Sequence, residues 1–119
     1  KEKSPVLVIG GSAGSFLGEY QAGGTIIVLG MGCKRPVGNF CGMGMHGGRI
    51  YLRCQTPPAD LPRQIIVKKA EKQDMKAIEA YIKEFCRVFG HSEKAVADSD
   101  FYVLRPDSKN PYRQLYTQN

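Results

Sequence analysis

The sequence predicts a mainly β fold, a parallel β-solenoid of a few single-stranded coils with an amphipathic α-helix towards its C-terminus. Three observations lead to this prediction: a dense run of glycines, a repeat within that run, and a helical pattern downstream of it. Of the 14 glycines among 119 residues, 13 lie between Gly10 and Gly48. Glycine loses more backbone entropy on folding than any other residue, so this density indicates tightly turning, packed backbone.

The glycine run is neither collagen nor a flexible linker. It has no strict three-residue period, which excludes collagen. Apolar segments directly before it, at residues 6–9, and within it, at residues 26–29, exclude a flexible linker. With 42% hydrophobic and 24% charged residues, the chain is expected to fold as one domain, 1–119.

The repeat links residues 17–30 to residues 41–54 at an offset of 24 residues. Each copy carries glycines at matching places and continues into a short apolar strand. A fainter copy of the strand, at residues 6–10, precedes residues 26–30 by 20 positions. The repeat predicts sharp corners between coils at the structural turn glycines, which are Gly18, Gly23, Gly24, Gly30, Gly42, Gly47 and Gly48.

Alternation along each strand divides the apolar side chains between two faces. One set is expected to point into the solenoid and to stack from coil to coil. The other set points outward, and its partial apolarity suggests that something covers that face. The inward set is Val6, Val8, Ile26, Val28, Ile50 and Leu52, and the outward set is Ile27, Leu29, Tyr51 and Arg53.

Downstream of the repeats, apolar residues recur every three or four positions and predict an amphipathic helix over 74–89, ended by Gly90. This helix would cover the outer face or an open end of the solenoid. Smaller elements are a last strand at 65–67, a short helix over 92–98 and an extended piece at 101–104. The solenoid would span 5–68, and the helical cover with an irregular tail 71–119.

The net charge of +6 favours an acidic partner surface or an anionic ligand. The basic residues lack the clustering of a nucleic-acid-binding protein, so no nucleic acid is expected. No apolar run is long enough to cross a bilayer, and no signal peptide is recognisable, so no membrane is expected.

The four cysteines form no CxxC pair, and reduced thiols in a cytoplasmic protein are expected.

The segment 6–14 looks like a strand entering a dinucleotide-binding turn. That chemistry needs a helix directly after the turn, because the helix N-terminus holds the pyrophosphate. Gly18, Gly23 and Gly24 would interrupt such a helix. The sequence therefore favours a structural turn here over a dinucleotide-binding turn.

Four residues in or beside the repeats carry groups that bind metals or attack substrates: Cys33, Cys41, His46 and Cys54. Their spacing matches no zinc or iron–sulfur pattern. One hypothesis is an enzyme that uses Cys33 or Cys41 with His46 as its base. We instead interpret the cysteines as small structural thiols, and we predict no catalytic, cofactor-binding or metal-binding residue on this chain.

The glycine repeat resembles a known family. Residues 18–30, 37–39 and 42–51 are similar to the glycine-rich (GXGXG) domain at the C-terminal end of the glutamate synthase large subunit, in its stand-alone form. They are also similar to a glycine-rich subunit of formylmethanofuran dehydrogenase. The resemblance implies a right-handed parallel β-helix with a mainly structural role. Flavin and iron–sulfur clusters, and the glutamine-hydrolysing cysteine, would then belong only to partner subunits.

The leading hypothesis is therefore a non-catalytic structural module of a glutamate-synthase-like amidotransferase and oxidoreductase system. Its expected partners are synthase and amidotransferase subunits, or a second copy of the chain at the open end of the solenoid. The alternative is a protein that binds a small anion or nucleotide through its glycine turns. The candidate anion-binding residues are Lys34, Arg35, Arg49 and Arg53.

Overall fold

The computed structural model describes residues 5–11, 23–31, 47–57, 61 and 64–107. Within these ranges the chain forms one sheet of five strands, in the order β1-β2-β3-β5-β4, and two helices. The elements along the chain are β1 (Val6–Ile9), β2 (Thr25–Val28), β3 (Arg49–Arg53), β4 (Ile65–Lys69), α1 (Lys72–Phe89), α2 (Glu93–Ala97) and β5 (Phe101–Pro106).

The first three strands are parallel, and the repeat sets the register of the second pair. Ile26 lies opposite Ile50 and Val28 opposite Leu52, which is the predicted 24-residue offset. The offset between β1 and β2 is one residue shorter than predicted, because Leu7, and not Val6, lies opposite Ile26. A shift of one residue exchanges the faces of a strand. Because all four residues of β1 are aliphatic, alternation of polarity did not reveal that shift.

The prediction of a parallel β-helix is wrong. β5 pairs antiparallel with β3, placing Val103 opposite Tyr51, and β4 pairs antiparallel with β5 on its other side. Over the described residues the fold is therefore an open mixed sheet with two helices, an α/β arrangement. A solenoid requires the next strand to enter in the same direction as its predecessors, but β5 enters after α2 in the opposite direction and occupies that place beside β3.

The smaller elements predicted downstream are confirmed with adjusted limits. The predicted strand at 65–67 is β4, which extends to Lys69. The predicted extended piece at 101–104 is β5, which extends to Pro106 and so includes the beginning of the segment expected to be irregular. The short helix is α2, whose N-terminal Ala95 N–H donates to the Ser92 side-chain oxygen at 3.2 Å.

The amphipathic helix is confirmed as α1, which spans 18 residues. At its start, the Asp74 carboxylate accepts a hydrogen bond from the Glu71 N–H at 2.8 Å. At its end, Gly90 adopts the left-handed conformation, with φ of 73°. A glycine there ends the helix without the steric cost of a Cβ atom.

Each face of the sheet carries a cluster of buried apolar residues. On one face, α1 packs over the positions that were predicted to point outward, which confirms that a helix covers them. This cluster contains Ile27, Leu29, Tyr51, Ile78, Ile82, Cys86, Val96, Phe101 and Val103. The cluster on the opposite face contains Val28, Ile50, Leu52, Ile65 and Leu104. Burial on both faces explains why the middle of each parallel strand is apolar at successive positions.

Candidate functional sites at the ends of the strands

At the amino ends of the parallel strands, two glycines occupy equivalent places in successive repeats. Gly24 has φ of 83° and Gly48 has φ of 80°, and each precedes the first residue of a strand. The Thr25 N–H donates to the Pro5 carbonyl at 2.9 Å, and the Arg49 N–H donates to the Gly24 carbonyl at 3.0 Å. The same backbone contact thus joins β1 to β2 and β2 to β3.

These glycine turns border a cavity of about 610 Å³. Arg49 lines this cavity beside Gly23, Gly24 and Gly48, and Tyr81 of α1 lines its other side. Of the two predicted anion-binding residues that the structure describes, Arg49 lies against glycine turns at this edge and Arg53 does not.

At the carboxyl ends of the strands, a second cavity of about 660 Å³ lies between the β2 and β3 termini and the segment that joins α2 to β5. Its lining is polar, and it mixes one arginine with two carboxylates. The described lining residues are Gly30, Arg53, Cys54, Gln55, Thr56, Asp98, Ser99 and Asp100.

Arg53 in this second cavity is tied into the fold. Its Nε donates to the Ser99 side-chain oxygen at 2.9 Å, and its Nη1 donates to the Leu29 carbonyl at 3.1 Å. Both bonds hold the end of β2 and the segment after α2 against β3. Arg53 thus stabilises this edge of the sheet, and these donors are not available to a ligand.

The two described residues among the predicted anion-binding set, Arg49 and Arg53, lie apart. Arg49 and Arg53 begin and end β3, and the four steps of extended strand from one to the other separate their Cα atoms by about 13 Å. Lys34 and Arg35 lie outside the described residues, as do Gly18, Gly42, Cys33, Cys41 and His46. The hypothesis of a cysteine–histidine pair therefore concerns a part of the chain that the structure does not describe.

The two described cysteines have environments that disfavour the thiolate. Burial raises the pKa of the Cys54 thiol, and the Asp100 carboxylate raises it further. Burial also raises the pKa of Cys86, with a smaller contribution from Glu93. Because the thiolate is the nucleophile and the metal ligand, both environments suit structural thiols. Among the described residues, no three His, Cys, Asp or Glu side chains are placed to hold a metal ion.

One group of charged residues, at the start of α1, was not predicted from the sequence. Arg49, Lys68 and Arg105 line a cavity of about 330 Å³ together with Asp74. The pKa of Asp74 is lowered, mainly by the hydrogen bond from the Glu71 N–H and also by Lys68 and Arg49. These residues come from three strands and a helix, and only the register of β5 between β3 and β4 brings the cations together. Arg49 was among the predicted anion-binding residues, but no local sequence signal points to Lys68 or Arg105 beside it.

The described part of the chain is a small α/β module in which glycine turns join parallel strands edge to edge. A model of the GXGXG motif family matches residues 1–104. The chain therefore belongs to the GXGXG motif family, the domain found in the glutamate synthase large subunit.

The comparison with curated proteins gives a relative from an archaeon. The uncharacterized protein MJ1350 of Methanocaldococcus jannaschii is 41% identical over 125 aligned residues, which cover 98% of this chain and 48% of the relative. The chain thus spans about half the length of the curated relative it matches. No solved structure matches the chain. Among the helices in the described ranges, none is long and apolar enough to cross a membrane.

Proposed function

We propose that this chain is a non-catalytic assembly module of a glutamate-synthase-like system, and that it binds a partner subunit through the free edge of β1. Membership of the GXGXG motif family supports the relation to glutamate synthase. The observation that carries the proposal is the position of β1 at the edge of the sheet. β1 pairs with β2 on one side and with no described strand on the other.

The backbone of β1 offers hydrogen-bonding groups at this edge. The Pro5 carbonyl accepts a hydrogen bond from the Thr25 N–H at 2.9 Å, and the Ile9 carbonyl accepts one from the Leu29 N–H at 2.8 Å. Hydrogen-bonding direction alternates along a strand, so the amides and carbonyls of Val6 and Val8 point away from β2. An edge with unpaired backbone groups is a surface on which another chain can add a strand.

The side chains of β1 favour a protein partner over a small ligand. Leu7 is 54% exposed although it stands in a strand of four aliphatic residues. It lies on the sheet face opposite α1, because it aligns with Ile26. Burying an exposed leucine against a partner contributes about 1.5–3 kcal/mol of apolar transfer free energy at most.

We expect Leu7→Lys to release the chain from its partners. A lysine on an edge strand opposes the addition of another strand, because its charge would have to be buried. The chain is coexpressed with the amidotransferase and synthase subunits of the same organism, and co-elution is measured by size-exclusion chromatography. Co-elution of the natural chain and loss of it for Leu7→Lys are the expected results.

Val88→Lys is the matched control, because Val88 is 55% exposed on α1, which covers the other sheet face. This variant should co-elute like the natural chain. A chain that never co-elutes with either subunit would refute the proposed partners, and equal retention of Leu7→Lys would refute the β1 edge as the contact. Glutamine-dependent turnover by the purified chain alone would refute its non-catalytic role.

A further inference from the structure

Beyond the proposed assembly role, the cavity beside the start of α1 has a composition of its own. Its described lining consists of three cations, one carboxylate and two uncharged residues. We call it the basic cavity, and its lining is Arg49, Lys68, Gln73, Asp74, Val103 and Arg105. Its volume of about 330 Å³ is near the lower end of the range of about 300–1,000 Å³ for ligand pockets.

The register of the sheet sets the two arginines side by side. Ile50 of β3 lies opposite Leu104 of β5, and continuing this antiparallel register by one residue sets Arg49 opposite Arg105. Like charges in directly opposed positions destabilise a sheet. Because both arginines are exposed, their repulsion in the free chain is small, and an anion bound between them would turn it into attraction for the ligand.

Lys68 joins the arginines from the neighbouring strand. Ile66 of β4 lies opposite Arg105, and Lys68, two residues further along, points to the same face of the sheet as Ile66. The three cations thus come from the adjacent strands β3, β5 and β4. Gln73, in the first turn of α1, also lines the cavity, and the positive end of the helix dipole favours an anion here.

The carboxylates around the cavity are paired with Lys68 and not with the arginines. Asp74 lies 3.4 Å from the Lys68 Nζ and accepts the Glu71 N–H at 2.8 Å, while the Glu71 carboxylate lies 4.0 Å from the same Nζ. Neither the Arg49 nor the Arg105 guanidinium forms a hydrogen bond or an ion pair with a described residue. The N–H donors of both guanidinium groups are therefore available to a ligand.

We propose that the basic cavity binds a small dianion of the phosphate type, either inorganic phosphate or the phosphate group of a larger molecule. Guanidinium groups match the geometry of phosphate and carboxylate oxygens and bind them through paired hydrogen bonds. A phosphate group presents at least three oxygens and about two negative charges, so it can meet both arginines and Lys68 together. A single carboxylate presents only two oxygens and one charge. The cavity therefore favours phosphate.

The test is titration calorimetry of the whole chain with inorganic phosphate, at constant ionic strength set with chloride. We expect phosphate to bind and chloride to give no effect. Arg105→Gln should raise the dissociation constant for phosphate at least about tenfold, because it removes one charged fork. Arg49→Gln should do the same from the facing strand, so the test does not depend on one variant folding.

Arg87→Gln is the control, because Arg87 is an exposed arginine of α1 that pairs with Glu84. It removes the same charge and should leave phosphate binding unchanged. In chloride alone, Arg105→Gln should melt no lower than the natural chain, since it relieves the repulsion with Arg49.

Three results would overturn the proposal: no phosphate binding by the natural chain, equal loss of phosphate binding in Arg87→Gln, or succinate binding as tightly as phosphate. Binding of phosphate but not of a phosphate monoester would restrict the ligand to the free ion, and the converse would assign a larger molecule.

Discussion

Leu104→Ala is expected to lower the free energy of unfolding by about 2–5 kcal/mol, the usual cost of truncating a buried leucine. Leu104 is fully buried in β5, where it lies opposite Ile50 of β3 and Val67 of β4. Its removal would leave a cavity at the junction between the parallel and antiparallel parts of the sheet. Urea denaturation followed by circular dichroism measures the difference.

Leu7→Ala is the matched control, since it makes the same change in a strand at the edge of the sheet. Leu7 is 54% exposed, so its truncation should cost no more than about 1 kcal/mol. Equal effects of the two variants would contradict the position of β5 inside the sheet. That result would instead fit a solenoid with a peripheral C-terminal segment.

Gly24→Ala is expected to lower the free energy of unfolding by about 2–4 kcal/mol, from two sources. The φ of 83° at Gly24 is a conformation that residues with a Cβ atom rarely adopt. An added Cβ would also lie 2.8 Å from the Pro5 carbonyl oxygen. That oxygen accepts the hydrogen bond from Thr25 that joins β1 to β2, so it cannot move away freely. Chemical denaturation again measures the loss.

Substitutions at two other glycines distinguish the cost of the backbone conformation from the cost of the steric clash. An added Cβ at Gly90 meets no atom within 4 Å, but φ there is 73°, so Gly90→Ala should show the conformational cost alone, about 1–2 kcal/mol. Gly23 has open space and no positive φ, and Gly23→Ala should be nearly neutral or slightly stabilising. A loss at Gly24 no greater than that at Gly90 would contradict the close approach of β1 to this turn.

The local elements were predictable because their signals are local. The three- and four-residue spacing of apolar side chains predicted α1, and Gly90 predicted its end. The repeat predicted the register of β2 with β3, because its glycines fix both copies relative to their strands. The register predicted for β1 was wrong, because four successive aliphatic residues carry no alternation to read.

The position of β5 was not predictable from the sequence pattern. Residues 101–104 indicated an extended segment, but its pairing with β3 joins residues about fifty positions apart. Nothing in the alternation of β5 distinguishes an antiparallel partner from a further coil. The family resemblance reinforced the solenoid prediction, so the repeat and the resemblance led to the same error about the fold.

The candidate sites likewise contain some residues that the sequence pattern indicated and others that only the sheet order brings together. The glycine turns and Arg49 were found from the repeat, since they are part of it. Arg53 was grouped with Arg49 as a basic residue that could bind an anion beside the glycine turns, yet it is hydrogen-bonded at the other end of β3. Lys68 and Arg105 were missed, because only the mixed order of the sheet places them beside Arg49.

Amide hydrogen exchange at Val6 and Val8 tests most directly the claim that this chain assembles through β1. Both amides point away from β2 and should exchange rapidly in the free chain. In the complex with the partner subunits, we predict that both become protected, because the partner adds a strand at this edge. A complex in which Val6 and Val8 exchange as fast as in the free chain would contradict assembly through β1.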